Sequence, residues 1–218
     1  MTLKNLRIRS ALNLYLLVVL VSLLVINSIP ALAGASSEPA LPTFANFSQT
    51  VQNGEEEILR GVYVPNVLAL PVVQQPAGSP GYVSGKNGEA TQFSMAAQTG
   101  NVGLLAHNTL SGRFFSRLAV GQEVRLIYGG GKVEYFVVTE ILQYQALQPT
   151  SQWSDFRDLA NSGGKTITAG QLFERVYSGT RHVTFQTCIE AEGNVSWGRL
   201  FILAKPLPRF SDYNRPGR

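Results

Sequence analysis

Cys188 is the single cysteine in a chain of 218 residues, and Arg199 follows it eleven positions later in an otherwise apolar stretch, 197–204 (WGRLFILA). A thiol becomes a nucleophile when a neighbouring cation lowers its pKa or a base takes its proton. An arginine entering an apolar strand requires an anionic or carbonyl partner, and a developing oxyanion is such a partner. The chain has two histidines that could act as the base, His107 and His182. His182 lies six residues before Cys188, roughly 20 Å away along an extended strand, so it is excluded as partner and assigned a surface role. His107 ends a short apolar run at 102–106, and a closed sheet would bring it beside the thiol. Taken singly, each residue also has an ordinary explanation: a buried small hydrophobe for Cys188, a hydrogen-bonded strand-end histidine for His107, a surface charge for Arg199.

Those side chains need a scaffold of strand ends. From residue 61 onward the sequence reads as short β segments separated by Gly, Pro and Ser clusters, with Pro65 and Pro71 confining the first segments to bends or edges. The clearest hairpin signal is alternation over 123–128, a turn at 129–132 (GGGK), and a strand over 133–141. Further strands are expected at 183–187, ending at the cysteine, and at 199–204, joined by ten loop residues. Short helices are expected within 46–60, near 151–160 and at 169–177. The pattern predicts one mainly β domain, a closed barrel or sandwich, over 58–206. Residues 34–57 form a linker and leading segment, and 207–218 a tail.

Residues 1–33 carry Lys4, Arg7 and Arg9 before an uncharged apolar run, Pro30, and an A-x-A pattern at 31–33. This is the composition of a signal peptide or an N-terminal membrane anchor, and it predicts that the remainder lies outside the cytoplasmic membrane. Without the leader the chain has 15 cations against 14 acids, so no basic surface argues for nucleic acid. A lone cysteine excludes an internal disulfide, and histidines without ligand spacing argue against a metal centre. No cofactor is expected.

Residues 63–73 (YVPNVLALPVV), 104–128 (LLAHNTLSGRFFSRLAVGQEVRLIY), 183–188 (VTFQTC) and 198–204 (GRLFILA) resemble, in that order, the sortases, with no single subclass indicated. The most specific part is the Thr-Cys pair with an arginine eleven residues on. Ala106 stands where many relatives have glycine. The resemblance implies a barrel of about eight strands with short helices in its loops, and an enzyme that cleaves a sorting signal on a substrate protein. The acyl part would be held as a thioester and passed to an amine, on a cell-wall precursor or a protein lysine. By motif it implies Cys188 as nucleophile, His107 as acid/base and Arg199 as oxyanion stabiliser, with Thr187 and the loop 148–179 on the substrate side. The alternatives are a non-catalytic β-barrel adhesion module, a cysteine protease that only hydrolyses, and an L,D-transpeptidase. The last expects a His-Gly-Cys context that 185–189 does not supply.

Overall fold

In the computed structural model of the protein, residues 40–151, 153–160 and 164–207 are described. The proposed leader lies outside them. Among the described residues no helix is long and apolar enough to cross a membrane. The described residues from Leu41 onward form one compact unit.

Ten strands make one sheet: β1 (Leu59–Val64), β2 (Leu68–Gln74), β3 (Ala90–Phe93), β4 (Val102–Leu105), β5 (Glu123–Tyr128), β6 (Val133–Ala146), β7 (Phe156–Asp158), β8 (Thr166–Ile167), β9 (Val183–Ala191) and β10 (Asn194–Pro206). The order β10-β9-β4-β3-β2-β1-β5-β6 returns on itself because β6 also pairs with β10. Eight strands thereby close into a barrel, while β7 and β8 extend outward from β6. The β2–β3 and β4–β9 pairs are parallel and the rest of the ring is antiparallel. Closure removes the exposed edges that an open sheet of short strands would present.

Strand side chains alternate between the two faces. Inward positions such as Val62, Leu70, Leu104, Leu126, Phe185 and Ile202 fill the barrel. A 3₁₀ turn, Ser111–Arg117, contributes Phe115 to this core, edge-to-face with Phe185 at 5.1 Å. Outside the barrel, helix α1 (Phe44–Val51) lays Phe47 and Val51 against Tyr63 and Ile127. The short helix expected within 46–60 therefore forms, over 44–51, and packs on the barrel. A second short helix, α2 (Ser94–Gln98), and α3 (Ala169–Tyr177) lie on another part of the outer face. In α3, Leu172, Val176 and Tyr177 are buried against Tyr144, Phe201 and Leu203. Thr168 and Gln171 close a capping box at its start, which satisfies backbone N–H groups that the first turn leaves free.

The eight-stranded barrel, the 123–128/133 hairpin and the helix at 169–177 match the sequence reading. Three expectations are corrected. Among the described residues no helix forms near 151–160: residues 156–158 pair with β6 as β7, and this places Phe156 in one buried cluster with Tyr144 and Phe201. The ten residues after the cysteine are not a loop, since β9 continues to Ala191 and β10 begins at Asn194. Glu192 and Gly193, with φ of 53° and 74°, make the tight turn between them. His182 is not at the surface but buried, with Nδ1 2.7 Å from the Thr180 carbonyl and Nε2 2.9 Å from that of Val176. It closes the C-terminal end of α3, whose last carbonyls lack helical partners.

Candidate functional site

Because β9 and β10 form a true hairpin, Cys188 sits within a strand rather than at its end. Its directly opposed partner on β10 is Arg199, and the next partner of Arg199, on β6, is Tyr144. Opposed residues share a face of the sheet, with Cβ atoms about 5 Å apart. The face is the outer one. Phe185 and Ile202 point into the core, whereas Phe201, two residues from Arg199, packs beneath α3. Helix α3 covers β9 as far as Gln186, whose side chain accepts a hydrogen bond from the Tyr177 hydroxyl. Cys188 is the next outward residue and is half-buried. Burial pushes the Tyr177 phenol above its ordinary range, so it stays a neutral donor.

His107 approaches from β4. That strand runs parallel to β9 with Val102 against Val183 and Leu105 against Gln186, so His107 falls level with Cys188. The chain stays beside β9 through Ala106, whose N–H donates to the Gln186 carbonyl at 3.3 Å. Alternation puts Leu104 and Ala106 inside and His107 outside, where it is exposed to solvent. With the β4–β9 register extended by two residues, the three expected residues lie on one face and at one level, Cys188 on β9, Arg199 on β10 and His107 just past the end of β4.

Thr187 is turned the other way. Its hydroxyl is buried and donates to the Ala106 carbonyl at 2.8 Å, joining β4 to β9 just behind the thiol. Gly112, which the sequence reading did not single out, makes this join possible. A Cβ there would collide with the Thr187 hydroxyl and lie 2.7 Å from the Ala106 and His107 carbonyl oxygens. The His107 carbonyl itself accepts from the Leu110 and Gly112 N–H groups, both at 2.9 Å, and this turns the chain sharply after the histidine.

Arg199 is held by backbone. One terminal nitrogen donates to the Ser196 and Gly198 carbonyls at 2.9 Å, and the other to the Pro149 carbonyl at 3.3 Å. A guanidinium has five N–H donors. Those contacts leave the Nε–H and one terminal N–H without a protein acceptor among the described residues. Pro149 belongs to the loop between β6 and β7, which is stapled by Leu147 N–H to Asp155 O at 2.9 Å and by Gln148 N–H to the Ser154 hydroxyl at 2.9 Å. The loop carries Trp153, 77% exposed. Residues 148–179 thus comprise this loop, β7, β8 and α3, with residues 152 and 161–163 outside the described set. Among the described residues no cluster of His, Cys, Asp and Glu could hold a metal ion.

No protein-family model matches the chain, and no curated protein matches it. Solved structures similar to it include sortase A of Listeria monocytogenes, at 14% identity over 70% of this chain and 89% of that one, with a TM-score of 0.45. A sortase D5 transpeptidase of Clostridium perfringens is 13% identical over 75% and 88%, with a TM-score of 0.44. Sortase C-1 of Streptococcus pneumoniae is 15% identical over 74% and 71%, with a TM-score of 0.45. The fold assignment stands on this chain's own strand order and register, which close the eight-stranded ring.

Proposed function

We propose that this protein is an exported cysteine transpeptidase of the sortase type. The observation that carries the reading is the register that sets Cys188 opposite Arg199 on β9 and β10 and brings the end of β4, which leads into His107, alongside them on the outer face of the barrel. In the proposed reaction Cys188 gives its thiol proton to His107, its sulfur attacks a peptide carbonyl carbon of a sorting signal, and the free Arg199 N–H groups receive the developing oxyanion. The C–N bond breaks, His107 gives a proton to the departing amine, and a thioester remains on Cys188. An incoming amine, losing its proton to His107, then attacks the thioester, forms a new amide and releases the thiol. The apolar leader at 1–33 carries the domain across the cytoplasmic membrane, so substrate protein and amine acceptor are met on the outer side.

The test uses the domain from residue 41 with a library of sorting-type peptides and a small amine, read by mass spectrometry. The expected result is amide product with the wild type and none with a folded Cys188→Ala variant. Amide formation by that variant overturns the mechanism. Hydrolysed peptide without amide product, in excess amine, assigns the chain to the hydrolases instead.

A further inference from the structure

The three residues of the proposed site come from two parts of the chain, the end of β4 and the β9–β10 hairpin. The join through Thr187 and Gly112 lies behind the site, on the core side of Ala106. On the open side there is a second bridge. The Asn108 side-chain amide, next to His107, donates to the Val195 carbonyl at 3.0 Å, across 87 residues of sequence.

Val195 lies where the β9–β10 register shifts, between the pairs Asn194–Ala191 and Gly198–Ile189. Such a shift pushes residues out of the ladder. The following residue, Ser196, gives its carbonyl to Arg199, and its N–H donates to the Asn194 side chain at 2.9 Å. A single amide therefore runs from the neighbour of His107 to the bulge that holds the Arg199 guanidinium. Only a donor can perform this task, because the group it meets is a carbonyl oxygen.

We propose that Asn108 is a positioning residue that fixes His107 against the Cys188–Arg199 pair through the Val195 carbonyl. This rests on the transpeptidase reading of the same site. Asn108 touches no reacting atom; it sets the distance over which His107 reaches the thiol and the leaving amine. Losing it would leave the barrel closed and the substrate-facing loop at 147–155 unchanged, while the His107 turn and the bulge move independently.

The experiment compares wild type with Asn108→Ala and Asn108→Asp, the second keeping the shape but presenting a carboxylate to the Val195 carbonyl. Turnover of the best peptide and the rate of Cys188 alkylation by iodoacetamide are measured on the domain from residue 41. In both variants kcat is expected to fall at least about tenfold, as small misplacements of catalytic groups do. KM should change by less than about twofold, the signature of a contact that acts on the chemical step. Alkylation should slow in parallel. Unchanged kcat and alkylation in both variants overturn the proposal, as does a loss confined to KM, or loss of folding in both. A wild-type Cys188 that neither turns over peptide nor alkylates overturns the transpeptidase reading instead.

Discussion

Cys188 and Arg199 oppose each other across the β9–β10 ladder, at the first outward position that α3 leaves uncovered. This pairing explains the eleven-residue spacing. A tight two-residue turn and the bulge at 195–197 together return the chain so that the arginine lies beside the thiol rather than two positions past it. The barrel supplies rigidity, while the guanidinium keeps N–H donors that no acceptor among the described residues takes.

From this geometry Arg199→Lys is not a conservative change. An ammonium has three donors on one nitrogen and cannot span the Ser196, Gly198 and Pro149 carbonyls while still facing an oxyanion. Turnover in Arg199→Lys is expected to drop by about 10²-fold or more, the range seen when an oxyanion donor is removed. Steady-state kinetics on a variant with unchanged circular dichroism check this, and retention of most activity would remove the arginine from the mechanism.

The two histidines should separate cleanly. His107 is exposed, so His107→Ala is expected to leave the thermal midpoint near the wild-type value while abolishing turnover. His182 is buried between the Val176 and Thr180 carbonyls, and His182→Ala removes the imidazole from both, although Val176 keeps the Thr184 hydroxyl as a donor. The cost should be about 1–3 kcal/mol, as for other buried hydrogen-bonding groups removed, with activity retained below the lowered melting temperature. Denaturant titration and low-temperature assays of both variants measure the contrast.

Gly112→Ala tests the join behind the site. The added methyl meets the Thr187 hydroxyl and two backbone carbonyls, none of them the far end of a flexible side chain. Overpacking of this kind costs about 1–3 kcal/mol or more. Because relief requires β4 and β9 to part next to Cys188, alkylation of the thiol should change as well. A variant of wild-type stability and reactivity would show that the contact is soft.

Much of this was legible in the residues. Alternation over 123–128 and the glycine turn marked the central hairpin, and Leu172 with Val176 gave α3 its apolar stripe. The pairing of Cys188 with Arg199 was read as two strand ends around a loop, because Glu190, Glu192, Gly193 and Asn194 look like loop composition. They are a solvent-exposed hairpin tip, where burial imposes no alternation. The roles of Asn108 and Gly112 depend on contacts more than 70 residues away in sequence, with Val195 and Thr187, and the burial of His182 depends on how the end of α3 turns back onto it. Composition and spacing within one segment carry no sign of such contacts.

At the other end of the barrel, Glu134 accepts hydrogen bonds from Arg181 at 2.7 Å and from the Tyr128 hydroxyl at 2.9 Å, with Lys132 at 3.1 Å. Burial alone would push its carboxyl up, but these partners outweigh it and hold it below the ordinary value of 4.5. Tyr128 is pushed up to about 12, first by burial and then by the Glu134 charge, so it remains a donor at neutral pH. A depressed carboxyl stabilises the fold above its unfolded value, and that contribution is lost as pH falls through the folded one. Glu134→Gln should therefore lower the melting temperature at neutral pH, with the difference from wild type closing below about pH 4. A constant gap across acid titration would mean that the network acts by packing alone.

The loop that supplies the Pro149 carbonyl to Arg199 also carries Trp153, an indole 77% exposed on a segment stapled at both ends. Large exposed aromatics on ordered loops serve recognition more often than folding. The rest of 148–179 is poorly suited to deletion, since Phe156, Leu172 and Val176 cover the outer face of β6 and β10, and Thr168 caps α3. Trp153→Ala is the narrower test. Its melting temperature should match the wild type, because almost no surface is uncovered by the change. Its kcat/KM should fall for peptides with a bulky apolar residue in the sorting signal and hold for those without one. The ratio should move by about 10-fold or more, the size of one apolar pocket contact. Equal kcat/KM ratios across the peptide set would show that this loop positions Arg199 without reading the substrate.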